Sequence, residues 1–490
     1  MRFRGPLADS YPAAVVLVVC ALVPYLVLTT AIAPLAELLQ KDVGLSEQSL
    51  QLTNGMANAA YSFGTVLAVQ LTLKLPARRL LALFASLFLV ASLLAAWAPT
   101  PGFFIAGRVA QGLTTGLMLI AAVPPLVIGW PKEKMPITAV IMNMGIFGAV
   151  AAGPSVGALF LGAKEWRWLF WATVIVGVVT LLFVLLTFED QEPQGDEDSP
   201  IDVVGLGCAG FGCAAAFFGA SELTTHALLS PIVFIPLVAG VLLIVAAVAW
   251  EYHTPEPLMP MKKLAHTIPV AGILTAMVAG AVSVALVDIT LTGLQTKASP
   301  HHIAVLFTPE LAGALAAAAL FGALFLTRFT PVLAFTGLLV LAGGAVVLTG
   351  SATGSDALVF VGAGCIGIGA GASVSPALFM TGFSLENKML PPVFAMVELL
   401  RGVTAFMTAP ILLHVAMTTG GSPELGQQNA TWAAFGIAAV GALLVGLVWA
   451  AGRARLQRPD LDTWLAAEGP AVHSPPVAAA VRRDLHLAER

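Results

Sequence analysis

The sequence predicts an all-α polytopic membrane protein with fourteen transmembrane helices, grouped as six, two and six, and with both termini in the cytoplasm. Two observations support this fold class. Of the 490 residues, 58% are apolar and only 10% are charged, whereas a soluble domain carries about 25% charged residues. The apolar residues also fall into fourteen runs, each near the ~20 residues that an α-helix needs to cross a bilayer. A soluble globular enzyme is therefore excluded.

Short polar or proline-containing stretches separate the apolar runs, and each run is predicted to form one helix. The predicted spans are 13–35, 50–72, 79–98, 102–129, 137–161, 167–187, 202–221, 230–250, 268–292, 308–327, 330–350, 356–381, 393–417 and 431–452.

The basic residues predict the orientation of the helices, because cytoplasmic loops retain Lys and Arg. With the N-terminus inside, 17 of the 23 basic residues lie on the cytoplasmic side. Four lie on the other side, and Arg108 and Arg401 lie within spans. Both termini are therefore predicted to be cytoplasmic, as expected for a multi-pass protein of the inner cell membrane.

An acidic stretch, Glu189–Asp198, follows the sixth span and is typical of a solvated linker. It divides the chain into a first six-helix bundle (1–187), a linker with two inserted helices (188–267) and a second six-helix bundle (268–452). The remaining residues, 453–490, mix Pro, Ala and charge. This tail is expected to be disordered or to lie loosely on the membrane surface.

The charge balance and the cysteines exclude several classes of partner. A net charge of -4 provides no basic field for nucleic acid. The four cysteines lie within apolar stretches, without the spacing of a zinc site. The chain also has no G-x-x-x-x-G-K-[ST] loop, so ATP is not the expected energy source. We expect no metal or cofactor.

Small and polar residues interrupt the apolar runs at three places. The fourth span reads Arg108-Val-Ala-Gln111-Gly112-Leu-Thr-Thr-Gly116, the fifth contains Gly145 and then Gly153-Pro154-Ser-Val-Gly157, and the sixth begins Trp166-Arg-Trp-Leu-Phe170. An arginine inside hydrocarbon costs at least ~2.5 kcal/mol and should face a bundle interior. Proline with flanking glycines predicts a hinge in the fifth span.

These three motifs resemble those of the major facilitator superfamily, and specifically of its fourteen-span drug:proton antiporters. The first matches the family pattern R-x-x-Q-G-x-x-x-G, the second matches G-P-x-x-G and the third is similar to W-R-W-x-F. The resemblance implies the major facilitator fold, in which two related bundles rock about a cavity. Glycines at 364, 367, 369 and 371 of the twelfth span weakly repeat Gly112 and Gly116, although close helix packing explains them equally well.

Two departures from the family pattern concern the inner gate and the proton site. Between spans two and three, Lys74, Arg78 and Arg79 keep the basic residues of the gate, but Leu73 stands where the family has an aspartate. The first span also lacks the acidic residue that the family carries before Pro34.

The candidates for proton coupling therefore lie in the second half of the chain. They are Asp288 in span nine, Glu310 at the start of span ten and Glu398 in span thirteen, together with Arg108, for which the resemblance implies a part in proton transfer. Glu398 and Arg401 share a helix face and are also expected to form a structural ion pair. Glu310 follows a proline, so helix capping is the alternative role.

Polar residues on the second span have helical spacing and are candidates to line a substrate cavity, as are Gln111 and Arg401. They are Asn54, Asn58 and Tyr61. Hydrogen bonding between helices explains them about as well.

The expected function is export of an amphipathic or hydrophobic small molecule, driven by proton entry, by a monomer in contact with membrane lipids. One alternative is a proton-independent facilitator or lipid exporter of the same fold. Another is a non-transporting receptor or scaffold, since a fold does not fix a function.

Overall fold

A computed structural model describes residues 5–187, 201–255, 257–295, 297–352 and 354–478. The acidic linker and the distal part of the tail lie outside these residues. Fourteen long helices follow one another along the described chain: α1 Tyr11–Ala31, α2 Glu47–Lys74, α3 Ala77–Trp97, α4 Pro101–Ile128, α5 Lys132–Ala163, α6 Trp166–Thr187, α7 Val203–Ser221, α8 Pro231–His253, α9 Thr267–Gln295, α10 Pro300–Leu324, α11 Thr330–Ser351, α12 Asp356–Phe383, α13 Leu390–Thr418 and α14 Pro423–Gly452.

Each predicted span coincides with one of these helices. Thirteen of them are long and apolar enough to cross a membrane, by length and composition. The fourteenth, α2, has 28 residues but is more polar, because it carries Gln51, Asn54 and Asn58. A short helix, Ala36–Val43, follows α1 and was not predicted.

Polar side chains fix the start of several helices by accepting hydrogen bonds from free backbone N–H groups. Ser10 accepts a bond from the N–H of Ala13 at α1, and Ser46 accepts one from Ser49 at α2. Asp202 caps α7 in the same way. These caps place the helix ends within a few residues of the predicted span limits.

The pairs of packed helices repeat between the first six helices and the last six. In the first half, α4 packs against α1, α2 and α3, α6 packs against α1 and α3, and α5 packs against α1. The second half repeats these contacts with each helix number raised by eight: α12 packs against α9, α10 and α11, α14 packs against α9 and α11, and α13 packs against α9. This correspondence is that of two repeats related by an axis along the membrane normal.

The two bundles meet at two symmetry-related seams, one between α2 and α13 and the other between α5 and α10. The inserted helices α7 and α8 pack against each other, and α7 also contacts both α2 and α13. The inserted pair therefore covers the seam between α2 and α13. The two seams differ in this respect, although the bundles are otherwise related by symmetry.

Glycines allow the closest helix contacts in both halves. A Cβ on Gly112 or Gly116 would collide with the backbone oxygen of Ala57 or Tyr61 on α2. In the second half, a Cβ on Gly367 would collide with the backbone oxygen of Glu310 on α10. The glycine repeat seen in the sequence is thus a packing feature, in which small residues let α4 and α12 approach their partners.

The predicted hinge in α5 contains a π-helical segment, Met144–Gly148, which includes Gly145. Pro154 lacks an N–H, so the carbonyl of Val150 loses its helical partner. The hydroxyl of Thr30 on α1 donates to that carbonyl instead, at 2.7 Å. Gly153 and Gly157 lie directly against α1 at the same contact. α5 is therefore irregular where it meets α1 and the seam.

The expectation of a disordered tail is wrong for residues 453–478, which pack against the second bundle. Trp464 is fully buried, stacks edge-on against Phe383 at 5.0 Å and donates its indole N–H to the carbonyl of Leu385 at 2.8 Å. The N–H of Thr267 donates to Pro475 at 2.9 Å. The composition of the tail did not predict this packing, because the apolar surface that one tryptophan buries is large compared with that of the small residues around it.

Replacing Trp464 by Ala should release the tail. Loss of a buried Trp costs about 3–5 kcal/mol, so the tail should undock and be cleaved by a protease much faster than in the wild type. Trp432→Ala, at a half-exposed position on α14, is the matched control. Equal cleavage rates in the wild type and both variants would contradict the packing described for Trp464.

Candidate functional site

A buried ion pair lies at the seam between α2 and α13. The Arg401 guanidinium contacts both oxygens of Glu398, with Nε 3.2 Å from Oε1 and 3.1 Å from Oε2. The hydroxyl of Tyr61, from α2 in the other bundle, donates to Glu398 Oε2 at 3.2 Å. The predicted pair is thus present, and it also connects the two bundles through Tyr61.

Arg108 is buried in the first bundle and, among the described residues, has no carboxylate partner. Its side chain is 1% exposed, and Nη1 donates to Gln111 Oε1 at 2.9 Å. Gln111 in turn donates to Ser92 on α3 at 2.9 Å and to Thr173 on α6 at 3.3 Å. The two polar residues of the fourth-span motif therefore hold α3, α4 and α6 together.

Tyr25 of α1 joins Arg108 to the seam. The Arg108 guanidinium lies 5.1 Å from the centre of the Tyr25 ring, within the range of a cation–π contact. The Tyr25 ring stacks on Tyr61 with 5.8 Å between centroids, and its hydroxyl donates to Asn58 at 3.0 Å. Sequence reasoning missed Tyr25, because one tyrosine within an apolar run is indistinguishable from a core residue.

A small cavity lies between the bundles on the other side of Arg401. It is lined by Thr30, Phe147, Val150 and Ala151 of the first bundle, and by Gly280, Ser283, Val284, Val287, Glu310, Ala314, Gly367, Ala370, Val374 and Arg401 of the second. Most of the wall is apolar. Its charged members are Glu310 and Arg401.

Glu310 lies in the first turn of the helical segment Thr308–Leu324 of α10, as predicted, and it faces this cavity. The side chain is only 3% exposed, and Oε2 is buried without a hydrogen-bond partner. Asp288, on α9, is partly buried and interacts electrostatically with Glu310. Among the described residues, no basic side chain forms an ion pair with either carboxyl group.

Several predicted site residues lie away from the cavity. Asn58 is bound to Tyr25, and Asn54 lies one turn before it on α2, outside the lining. The predicted gate residues Lys74, Arg78 and Arg79 lie at the turn between α2 and α3.

Ion pairs also form at the same end of the molecule. Glu386 pairs with Lys388 at 2.7 Å and Lys263 at 3.5 Å. The hydrogen bond from Lys388 and the charge of Lys263 hold the pKa of Glu386 below its usual value. Asp462 of the tail pairs with Lys132 of the first bundle. The tail therefore reaches across to the first bundle at this end.

Comparison with known sequences gives a consistent set of relatives. The profile of the Major Facilitator Superfamily matches residues 17–289. The "Uncharacterized MFS-type transporter YubD" of Bacillus subtilis is 28% identical over 68% of this chain and 64% of its own length. The "Multidrug resistance protein B homolog" of Mycobacterium tuberculosis is 29% identical over 59% of this chain and 54% of its own length. The matches thus cover less than two thirds of these relatives.

Two solved structures share the fold. The human organic anion transporter MFSD10 superposes with a TM-score of 0.62 at 13% identity, over 89% of this chain and 99% of its own. The proton:xylose symporter XylE gives a TM-score of 0.60 at 13% identity, over 89% and 95%.

Removing one partner of the buried ion pair should destabilise the protein more than removing both. Arg401→Leu leaves Glu398 buried and unpaired, which costs about 3–5 kcal/mol. The double variant Glu398→Leu with Arg401→Leu should recover much of that loss. Thermal unfolding in detergent measures both. A double variant less stable than Arg401→Leu alone would show that the pair is not the reason for the loss.

Proposed function

Because the chain belongs to the major facilitator superfamily, we propose that it is a secondary transporter that exports amphipathic or hydrophobic small molecules in exchange for protons. The observation that carries this proposal is the cavity between the bundles, in which the buried carboxyl group of Glu310 has an oxygen without a partner. Family membership indicates a multi-pass membrane transporter rather than an enzyme. We further propose the inner cell membrane as its location and a monomer as its working form.

The lining of the cavity favours an amphipathic substrate. Valine, alanine, glycine and phenylalanine residues make up most of the wall, and Glu310 and Arg401 provide the ionisable groups. Binding pockets of this kind gain affinity from apolar contact and orientation from a few polar groups. The names of the relatives support the proposal, since one is a multidrug resistance protein homolog and another, 25% identical over 39% of this chain, is a lincomycin resistance protein.

Proton coupling requires a carboxyl group that is neutral when enclosed and ionised when open to water. An isolated charge in an apolar site is costly, so an unpaired carboxyl group there takes up a proton instead. Glu310 is an unpaired carboxyl group of this kind, because Arg401 is engaged by Glu398, and we therefore assign Glu310 to proton exchange. Asp288, which interacts with Glu310, is the second group that we assign to proton exchange.

The proposed cycle is alternating access by rocking of the two bundles. Opening towards one side must separate the helices across both seams. Tyr61 and Glu398 lie on opposite sides of the α2 and α13 seam, so we assign this hydrogen bond to the closed arrangement. We assign Arg108 and Gln111 to holding the first bundle rigid, Gly145 and Pro154 to bending of α5, and Lys74, Arg78 and Arg79 to the inner gate.

Neutralising Glu310 should uncouple transport from the proton gradient. In inside-out vesicles, Glu310→Gln should reduce gradient-driven dye uptake at least tenfold, since the amide cannot exchange a proton. Binding of dye to the purified protein should persist. Asp356→Asn, which changes an exposed carboxylate at the start of α12, is the control and should transport normally.

Asp288→Asn tests the second carboxyl group in the same vesicles. We expect substrate-linked proton flux to fall, because one of the two interacting groups can no longer titrate. Unaltered proton flux in both variants would contradict the assignment of the coupling site.

The proton-independent facilitator is favoured by one observation. Among the described residues of α1 to α6, no Asp or Glu is buried, so the first bundle contributes no internal carboxyl group. Dye movement that is independent of the imposed gradient in the wild type would support this alternative.

A further inference from the structure

A second pair of acidic residues lies where α7 begins and α8 ends. Neither residue lines the cavity between the bundles. Asp202 caps the start of α7, and Glu251 lies in the last turn of α8. Glu251 is 1% exposed. Both carboxyl groups lie beside Gly205 in the first turn of α7, so the ends of the two inserted helices meet through them.

Each carboxyl group has one satisfied oxygen. Glu251 Oε2 accepts the N–H of Met259 at 2.9 Å. Asp202 Oδ1 accepts the N–H of Gly205 at 2.9 Å and the indole N–H of Trp250 at 3.0 Å. The other oxygens, Glu251 Oε1 and Asp202 Oδ2, are buried and have no partner. Both orphaned oxygens are acceptors, so they lack a donor.

The two orphaned oxygens lie together over Gly205. A Cβ on this glycine would be 2.9 Å from Glu251 Oε1 and closer still to Asp202 Oδ2. A larger residue at 205 would push the carboxyl groups apart.

Among the described residues, the groups that contact the pair from neighbouring segments are not titratable. They are the Trp250 indole, the Met259 and Gly205 N–H groups, and Gln70 of α2, whose Oε1 accepts the N–H of Asp202 at 3.2 Å. Two basic residues nearby have other partners, since His253 bonds the carbonyl of Ala249 and Lys263 pairs with Glu386. Among the described residues, no basic side chain forms an ion pair with Asp202 or Glu251.

We propose that Asp202 and Glu251 form a proton-binding site in which one proton is shared between Glu251 Oε1 and Asp202 Oδ2. Two carboxylates in contact cannot both be ionised without a compensating cation. A single bound proton supplies the missing donor and satisfies both orphaned oxygens at once. The site is separate from the cavity and does not depend on the proposed transport function.

The site makes the attachment of the inserted helices sensitive to pH. Asp202 is bound to Gln70 of α2, and α7 lies over the seam between α2 and α13. Loss of the shared proton places two negative charges at this junction. The inserted pair is therefore held most firmly to the first bundle while the proton is bound.

Infrared spectroscopy of the purified protein tests the shared proton directly. At mildly acidic pH, the wild type should contain a C=O stretch of a protonated carboxyl group that is absent from Glu251→Gln and from Asp202→Asn. Both amides can donate to the remaining carboxylate, so both variants should fold. Glu222→Gln is the matched control at the other end of α7, where both carboxylate oxygens accept bonds from Gln48. It should leave that band unchanged.

The pH dependence of stability provides an independent readout. The folded protein with the shared proton binds one proton more than the unfolded chain, so stability should fall as rising pH removes that proton, by about tenfold in the unfolding equilibrium per pH unit. Glu251→Gln should remove this component. A wild-type spectrum that loses no carboxyl band in either variant would overturn the proposal, as would stabilisation of the wild type by added divalent cations that both variants abolish.

Discussion

The hydrogen bond from Tyr61 to the ion pair of Glu398 and Arg401 is the contact on which the central arrangement depends. A bilayer offers no water to a charged group in its interior, so such a group must find its partners within the protein. Glu398 finds one in Arg401 of its own helix and a second in Tyr61 of the other bundle. The pair therefore closes the α2 and α13 seam while it satisfies its own charge.

The same constraint organises the polar residues on either side of that pair. In the first bundle, Arg108 reaches the seam through the stacked rings of Tyr25 and Tyr61. On the other side, Arg401 borders the cavity that contains Glu310. A buried cation, two aromatic rings, an ion pair and an unpaired carboxyl group thus follow one another across the bundle interface. Glu310 and Arg401 line the same cavity, and Arg401 belongs to the ion pair that Tyr61 joins to the other bundle. In our proposal, this proximity lets a change of charge at Glu310 affect the contact between the bundles.

The sequence predicted the features that depend on local pattern, and missed those that depend on tertiary contact. Span number and helix ends follow from apolar run length and caps, and the Glu398 and Arg401 pair follows from helical spacing. The pairing of Arg108 with Tyr25 and the burial of Glu310 required the arrangement of separate helices. The tail shows the opposite error: its composition predicted disorder, but the single contact of Trp464 holds it against the second bundle.

The central claim is that the two bundles rock about the midplane cavity. Spin labels at Leu75 and Phe329, exposed on the two bundles at one end, and at Trp97 and Met417 at the other end, measure it directly. We expect substrate and a change of pH to shorten one distance while the other lengthens. Two distances that stay constant, or that change in the same direction, would contradict the account.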